Sequence, residues 1–181
     1  MKGDIKMGTA FKIEIRPYKT GEVGYISCMH MALYQSIYHF KPVFEKYLLM
    51  GLTEFIKNPD GSQLWVAADN EKLIGSIAIC RVDDNTAQLR WFLVDPQYHG
   101  QGLGHRLMTV ALDFCRERGY RHIFLWTADV LEAARHLYGR YGFVHVQDEP
   151  NYEWTDALIA EERWDLRSNG DDLPAANDRT C

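Results

Sequence analysis

Apolar and polar residues alternate over positions 11–16 and stop at Pro17, the pattern of a first strand with one buried face. Ile26, Met29, Leu33 and Ile37 then recur at helical spacing, which predicts a helix with those four on its buried stripe, ended by Pro42. Phe44, Leu48, Leu52 and Phe55 carry the same period into a second helix, and Asn58-Pro59-Asp60-Gly61 stops it with turn chemistry. Three strand-like runs follow at 63–68, 72–82 and 87–94, separated by polar tips at hairpin distance.

Residues 102–119 form an amphipathic helix with Leu103, Leu107, Ala111, Phe114 and Cys115 on one stripe, and Gly119 suits its C-terminal cap. A short buried strand is expected at 122–126, a helix at 131–141 closed by Gly142, and strands at 143–147 and 162–167. The order predicts an α/β (α+β) fold, a mixed and mostly antiparallel sheet of six to seven strands flanked by four helices. No repeat or linker interrupts the pattern, so 1–167 reads as one domain and the polar stretch 168–181 as a flexible tail.

Composition removes several function classes. A net charge of −5 gives no electrostatic reason to expect nucleic acid as a partner. The longest apolar runs are too short to span a bilayer, and the polar start lacks a signal-peptide apolar segment. Cys28, Cys80, Cys115 and Cys181 show no paired spacing, and the first three sit inside apolar patterns as small buried hydrophobes. The expectation is a reducing, cytoplasmic setting without disulfides.

The chemistry concentrates in residues 89–104, LRWFLVDPQYHGQGLG, where an apolar strand runs through Asp95-Pro96 into a Gly-alternating turn and then a long helix. Glycines at 100, 102 and 104 let the backbone approach a bulky anion. The first amides of the helix have no acceptors within it and carry the positive end of its dipole, which suits a pyrophosphate. The same junction also serves as a simple tight turn. The Gly-Lys-Ser/Thr ending of a P-loop is missing, and the G-x-G-x-G spacing after a strand meander does not fit a dinucleotide fingerprint.

The turn HGQGLG resembles the acyl-CoA pyrophosphate loop of the GNAT superfamily of N-acetyltransferases, and AARHLYGRYGF resembles that family's second signature. The two stand in the family's order and separation. The runs LRWFLVDP, CRERGYRHIFLWT and LEAARHLYGRYGF are also similar to the acetyltransferase module fused to MarR-type regulators, with no such regulator expected in the short stretch 1–11. His99 departs from the usual Gln or Arg of the loop, and Leu131 from the Asn of many relatives.

The resemblance implies attack of an amine on an acetyl thioester held in a splay between two strands, with acetyl-CoA as co-substrate and no metal. It assigns backbone groups of Leu93 and Val94 to the pantetheine arm. The loop His99, Gly100, Gln101, Gly102, Leu103, Gly104 and His105 goes to the pyrophosphate, and Tyr138 to the departing thiolate. A phenol of pKa about 10 can stabilise or protonate a thiolate of pKa about 8.5, although a tyrosine there also packs as an ordinary ring. Freeing an alkylamine of pKa about 10.4 from its proton at pH 7 costs roughly 4–5 kcal/mol. Alternation puts Gln88, Arg90, Phe92 and Val94 on one face, and Gln88 cannot serve as a base, which leaves more distant acids such as Glu45 or Asp129.

The acceptor is expected near Tyr34, Tyr38, His39 and Phe44 and near Trp91, with Tyr34 and Trp91 as candidate contacts; core packing accounts for at least half of such aromatics. None of the seven histidines is placed to build a metal site by helical spacing beside a third ligand. The expectation is therefore an N-acetyltransferase for a primary amine of a small molecule or peptide. Its alternatives are a non-catalytic acyl-CoA sensor and an interaction domain that binds no nucleotide. Similar proteins are commonly dimers, which makes a homodimer through the final strands an expectation that no single residue demands.

Overall fold

The computed structural model describes residues 13–168 and Leu173. Its elements are β1 (Ile13–Pro17), α1 (Glu22–Tyr38), α2 (Pro42–Lys57), β2 (Gln63–Asp69), β3 (Lys72–Arg81), β4 (Thr86–Val94), α3 (Leu103–Arg118), β5 (His122–Ala128), α4 (Glu132–Arg140), β6 (Val144–Asn151) and β7 (Ile159–Arg167). The seven strands form one sheet in the order β1-β2-β3-β4-β5-β7-β6. Every pair is antiparallel except β4 with β5. The expected mixed, mostly antiparallel sheet with four helices is what forms.

Strands β2 and β3 are buried on both faces because helices cover both sides. Trp65 and Ala67 of β2 pack with Leu107, Met108 and Ala111 of α3, while Leu64 and Val66 point the other way, to Ile26 of α1 and Leu48, Leu52 and Phe55 of α2. Leu173 is buried in the α3 core, while the remainder of 169–181 and the first two positions of the expected strand at 11–16 lie outside the described residues. Among the described residues no helix is long and apolar enough to cross a membrane.

Three sequence expectations change. The buried stripe of α1 is Ile26, Ser27 and His30, not Ile26, Met29, Leu33 and Ile37, and Ile37 is 48% exposed. The apolar count favoured the wrong face, because polar His30 occupies the contact with the sheet. The helix ends at Tyr38, with His39 in the left-handed region as its cap, and Pro42 opens α2 instead of closing α1. Finally, Cys28 is exposed, whereas Cys80 and Cys115 are covered, and burial pushes their thiols up to about 11 and about 12.

Candidate active site

The site begins where two neighbouring strands part. β4 and β5 pair only through Thr86–His122, Ala87–Ile123 and Gln88–Phe124. Beyond Gln88 their facing edges diverge, leaving main-chain groups of the second half of β4 without a partner strand on that side. On its other edge, β4 shifts register against β3 between Ser76 and Ala78, so an extra residue bulges out at Trp91, whose φ is 48°. Ser76 fastens this bulge by donating its hydroxyl to the Trp91 carbonyl at 2.6 Å.

The bulge overturns the simple alternation expected for this strand. Arg90 and Trp91 both lie on the α1/α2 side, Arg90 against Gly51 and Trp91 against Phe55, while Phe92 and Val94 pack with the α3 core. A two-residue period cannot foresee this, because one inserted residue inverts every position after it.

After β4, the Asp95 carboxylate accepts from the Gln97 amide at 3.0 Å and from Lys72 Nζ at 2.9 Å, which fixes the turn. Lys72 and the Gln97 amide hold that carboxyl below its ordinary pKa against the opposing effect of burial. Gly100 and Gly102 adopt φ of 74° and 73°, and a Cβ on either would meet open space. Gly104 differs: it is helical, and its Cβ would touch Leu137, Phe92 and Val94 at 3.4, 3.5 and 3.9 Å. The first main-chain bond of α3 runs from the Arg106 amide to the Gly102 carbonyl, and the amides of residues 100–104 donate to no protein acceptor among the described residues. His99 is a clasp, its Nε2 standing 2.9 Å from the Val94 carbonyl. A carbonyl only accepts, so that ring nitrogen carries the hydrogen.

This loop rims a cleft of about 1560 Å³ that passes through the splay to the other side of the sheet. The cleft exceeds the 300–1,000 Å³ of an ordinary small-molecule site, room enough for a long ligand and a second one to meet. Tyr138 of α4 stands in its wall, 4% exposed, with its ring 6.1 Å from Phe92 and 6.4 Å from Trp164. Burial raises its phenol pKa well above the usual value, Tyr34 across the cleft adds to this, and the Thr127 hydroxyl opposes it. The Thr127 hydroxyl itself has no well-aligned hydrogen bond among the described residues. Tyr141, one turn beyond, ties α4 to the start of α3 by donating to the His105 carbonyl at 3.1 Å.

At the other end, Tyr34, Tyr38 and Phe44 form an aromatic group as the sequence suggested, joined by Phe40 and Trp154. His39 is exposed and outside it, and the Trp91 ring packs with Phe55, in the second core. Sequence reading missed His30 and Glu161. His30, 2% exposed, sits one turn from Ile26 and Tyr34, and that i, i+4 spacing is the signal that could have found it. Its Nδ1 lies 2.8 Å from the Ile26 carbonyl, its Nε2 has no partner among the described residues, and burial lowers its pKa to about 4.

Glu161 is the one carboxylate in the cleft wall among the described residues. Burial raises its pKa, Asn151 counters this through a 2.6 Å hydrogen bond, and Glu149 and Glu153 add to the rise. No pattern marked it, since β7 starts earlier than the expected strand at 162–167. Neither Glu45 nor Asp129 reaches the cleft wall. His145, Asp148 and Glu162 bring ligand atoms within 4.8 Å of one another, but Glu162 already accepts from Arg135 and Trp164 at 2.7 and 2.9 Å.

Comparison with known proteins decides the family. The acetyltransferase (GNAT) family model matches residues 26–143, which include the splayed strands, the glycine turn and Tyr138. The chain belongs to the GNAT acetyltransferase family. It is similar to human N-acetyltransferase 8B, with 36% identity over 88 residues, 46% of this chain and 39% of that protein. The chain thus spans well under half of that relative's length. A GNAT acetyltransferase of Staphylococcus aureus MU50 superposes with a TM-score of 0.70 at 20% identity, covering 85% of this chain and 98% of that one. A spermidine N-acetyltransferase of Vibrio cholerae, solved with CoA and spermine, gives 0.65 at 19% identity, covering 86% and 95%. At such identities these two structures speak for the fold.

Proposed function

We propose that this GNAT protein transfers an acetyl group from acetyl-CoA to a primary amine of a small molecule or peptide. The observation that carries the proposal is the junction of an unpaired strand edge with a cluster of free amides at the start of α3, both opening into one through-going cleft. The donor set fits acetyl-CoA: main-chain amides of Gly100, Gln101, Gly102, Leu103 and Gly104 for phosphate oxygens, and the edge at Leu93 and Val94 for an amide-bearing arm. His99 contributes by holding the loop onto Val94, and His105 by its place in the first turn of α3. The V. cholerae neighbour, holding CoA with an amine, supports the same pairing of ligands.

Bound acetyl-CoA supplies an activated acyl group, whose carbon gains a bond to the amine nitrogen as its bond to sulfur breaks. Tyr138, kept protonated by burial, donates a hydrogen bond to the leaving sulfur. Glu161, a carboxylate of raised basicity in the acceptor wall, takes the proton that the ammonium must lose. Tyr34 borders the acceptor, with Phe44 and Trp154 walling its apolar part, and Trp91 shapes that wall through the bulge in β4. A cytoplasmic setting accords with the free thiols of Cys28, Cys80 and Cys115.

The experiment is a thiol-release assay with acetyl-CoA and a panel of amines, with mass spectrometry of the products. N-acetylated product at a rate above the uncatalysed one supports the reading; no product from any amine, despite acetyl-CoA binding, contradicts it.

A further inference from the structure

Arg90 is a half-buried cation that no anion partners among the described residues. It lies on the α1/α2 side, opposite Leu89, two residues beyond the last β4–β5 pair and in the cleft wall. Among the described residues its guanidinium makes no ion pair or hydrogen bond. It lies over the Trp91 ring, Cζ 4.9 Å from the centroid, and against the backbone of Gly51 in α2. Burial lowers its pKa from the ordinary value.

Two further costs converge on the same group. A Cβ on Gly51 would stand 2.5 Å from Arg90 Nη2, the far end of a flexible side chain, so the glycine lets the guanidinium keep this position against α2. A glycine inside a helix gives up stability relative to alanine. A left-handed Trp91, whose ring lies under the guanidinium, is a second local strain. A leucine or methionine would fill the slot between Trp91 and Gly51 without the desolvation penalty of a charge. The penalty is offset when an anion arrives, and a guanidinium fork matches a carboxylate through two parallel hydrogen bonds.

We propose that Arg90 recognises a carboxylate on the acceptor, so that the cleft selects amines bearing an acid group, amino acids among them, over simple amines. The inference rests on the acetyltransferase reading and names its substrate class. Arg90 faces the α1/α2 side, whereas the free amides of the glycine turn belong to the α3 side, so the carboxylate and the acetyl donor enter from different sides of the sheet. Glu161 supplies the opposite charge in the same wall. A ligand with an ammonium and a carboxylate satisfies both.

The test is equilibrium binding to the CoA-loaded protein of N-acetylglycine, N-acetylalanine, N-acetylphenylalanine and N-acetylaspartate, each against its amide. Thiol-release kinetics on the matching amines accompany it. At least one acid should bind about tenfold or more tightly than its amide, the discrimination expected of a charge-assisted contact. Arg90→Gln should abolish the preference, Arg90→Lys should restore part of it, and both should leave the acetyl-CoA Kd within about twofold. Equal binding of acid and amide across the panel overturns the inference without recourse to any variant. A preference that survives Arg90→Gln overturns it as well. Loss of acetyl-CoA binding or of turnover with every amine counts instead against the acetyltransferase reading, since those measurements do not involve the acid–amide ratio.

Discussion

Replacing Gly102 and Gly104 by alanine, one at a time, should separate two roles for neighbouring glycines. At 102 the backbone has φ of 73° with open space around a new Cβ, so the penalty is conformational. An alanine in the left-handed region costs about 1–2 kcal/mol, partly offset by about 0.4–1 kcal/mol of lost unfolded-state freedom. The net, about 1 kcal/mol, corresponds to a fall in Tm of about 2–4 °C for a domain of this size. Relief of that strain rotates an adjoining peptide and turns an amide away from the anion. One hydrogen bond to a charged group contributes about 1.5–3 kcal/mol, so the acetyl-CoA Kd should rise about 10- to 100-fold. At 104 the new methyl makes ordinary contacts with Leu137 and Phe92 at 3.4 and 3.5 Å inside a helix. Gly104→Ala should therefore gain up to about 1 kcal/mol and keep its affinity within about twofold. Calorimetric titration with acetyl-CoA, paired with thermal melts, reads both quantities. Equal loss of affinity in the two variants, or wild-type affinity in Gly102→Ala, would refute the claim that the 102 peptide orients the anion site.

Other outcomes follow from the same geometry. Tyr138→Phe should lower kcat by about 10²-fold with acetyl-CoA affinity and Tm nearly unchanged, and wild-type enzyme should show no loss of rate from phenol ionisation below pH 10, because burial raises that pKa. Glu161 must be ionised to accept a proton, so kcat at saturating amine should fall as pH drops through a pKa above 4.5, and Glu161→Gln should remove that limb. His30 is buried neutral with a pKa of about 4 against 6.5 when unfolded. Between those values only the unfolded chain takes up the proton, so its contribution is complete above pH 6.5 and about 3 kcal/mol is lost as pH falls toward 4. Urea midpoints at pH 7 and 4.5 should fall further for wild type than for His30→Met.

The sequence made the sheet order legible because each strand run is bounded by polar tips or glycine, and those signals are local. The glycine turn was legible for the same reason, since the φ values at Gly100 and Gly102 are what glycine there announces. Trp91 shows where local reading stops. Its left-handed backbone is imposed by pairing with β3 and by the Ser76 hydroxyl, neither of which lies nearby in the chain. The sides taken by Trp91, Phe92 and Val94 therefore could not be read from alternation. The α1 stripe failed because apolar counting discounts a buried histidine, although His30 keeps the helical spacing with Ile26 and Tyr34. Glu161 and Trp154 reach the cleft only through the β6–β7 hairpin, a tertiary arrangement without a motif.

The claim on which the rest depends is that free amides before and within the first turn of α3 hold the phosphates of acetyl-CoA. Titrating the protein with acetyl-CoA and with acetylpantetheine, which keeps the thioester and lacks the diphosphate, tests it most directly. Saturable binding of acetyl-CoA, displaced by CoA and at least about 100-fold tighter than acetylpantetheine, is the expected result, since several charge-assisted bonds are lost together. Equal affinity for the two ligands, or no binding of either, would contradict it.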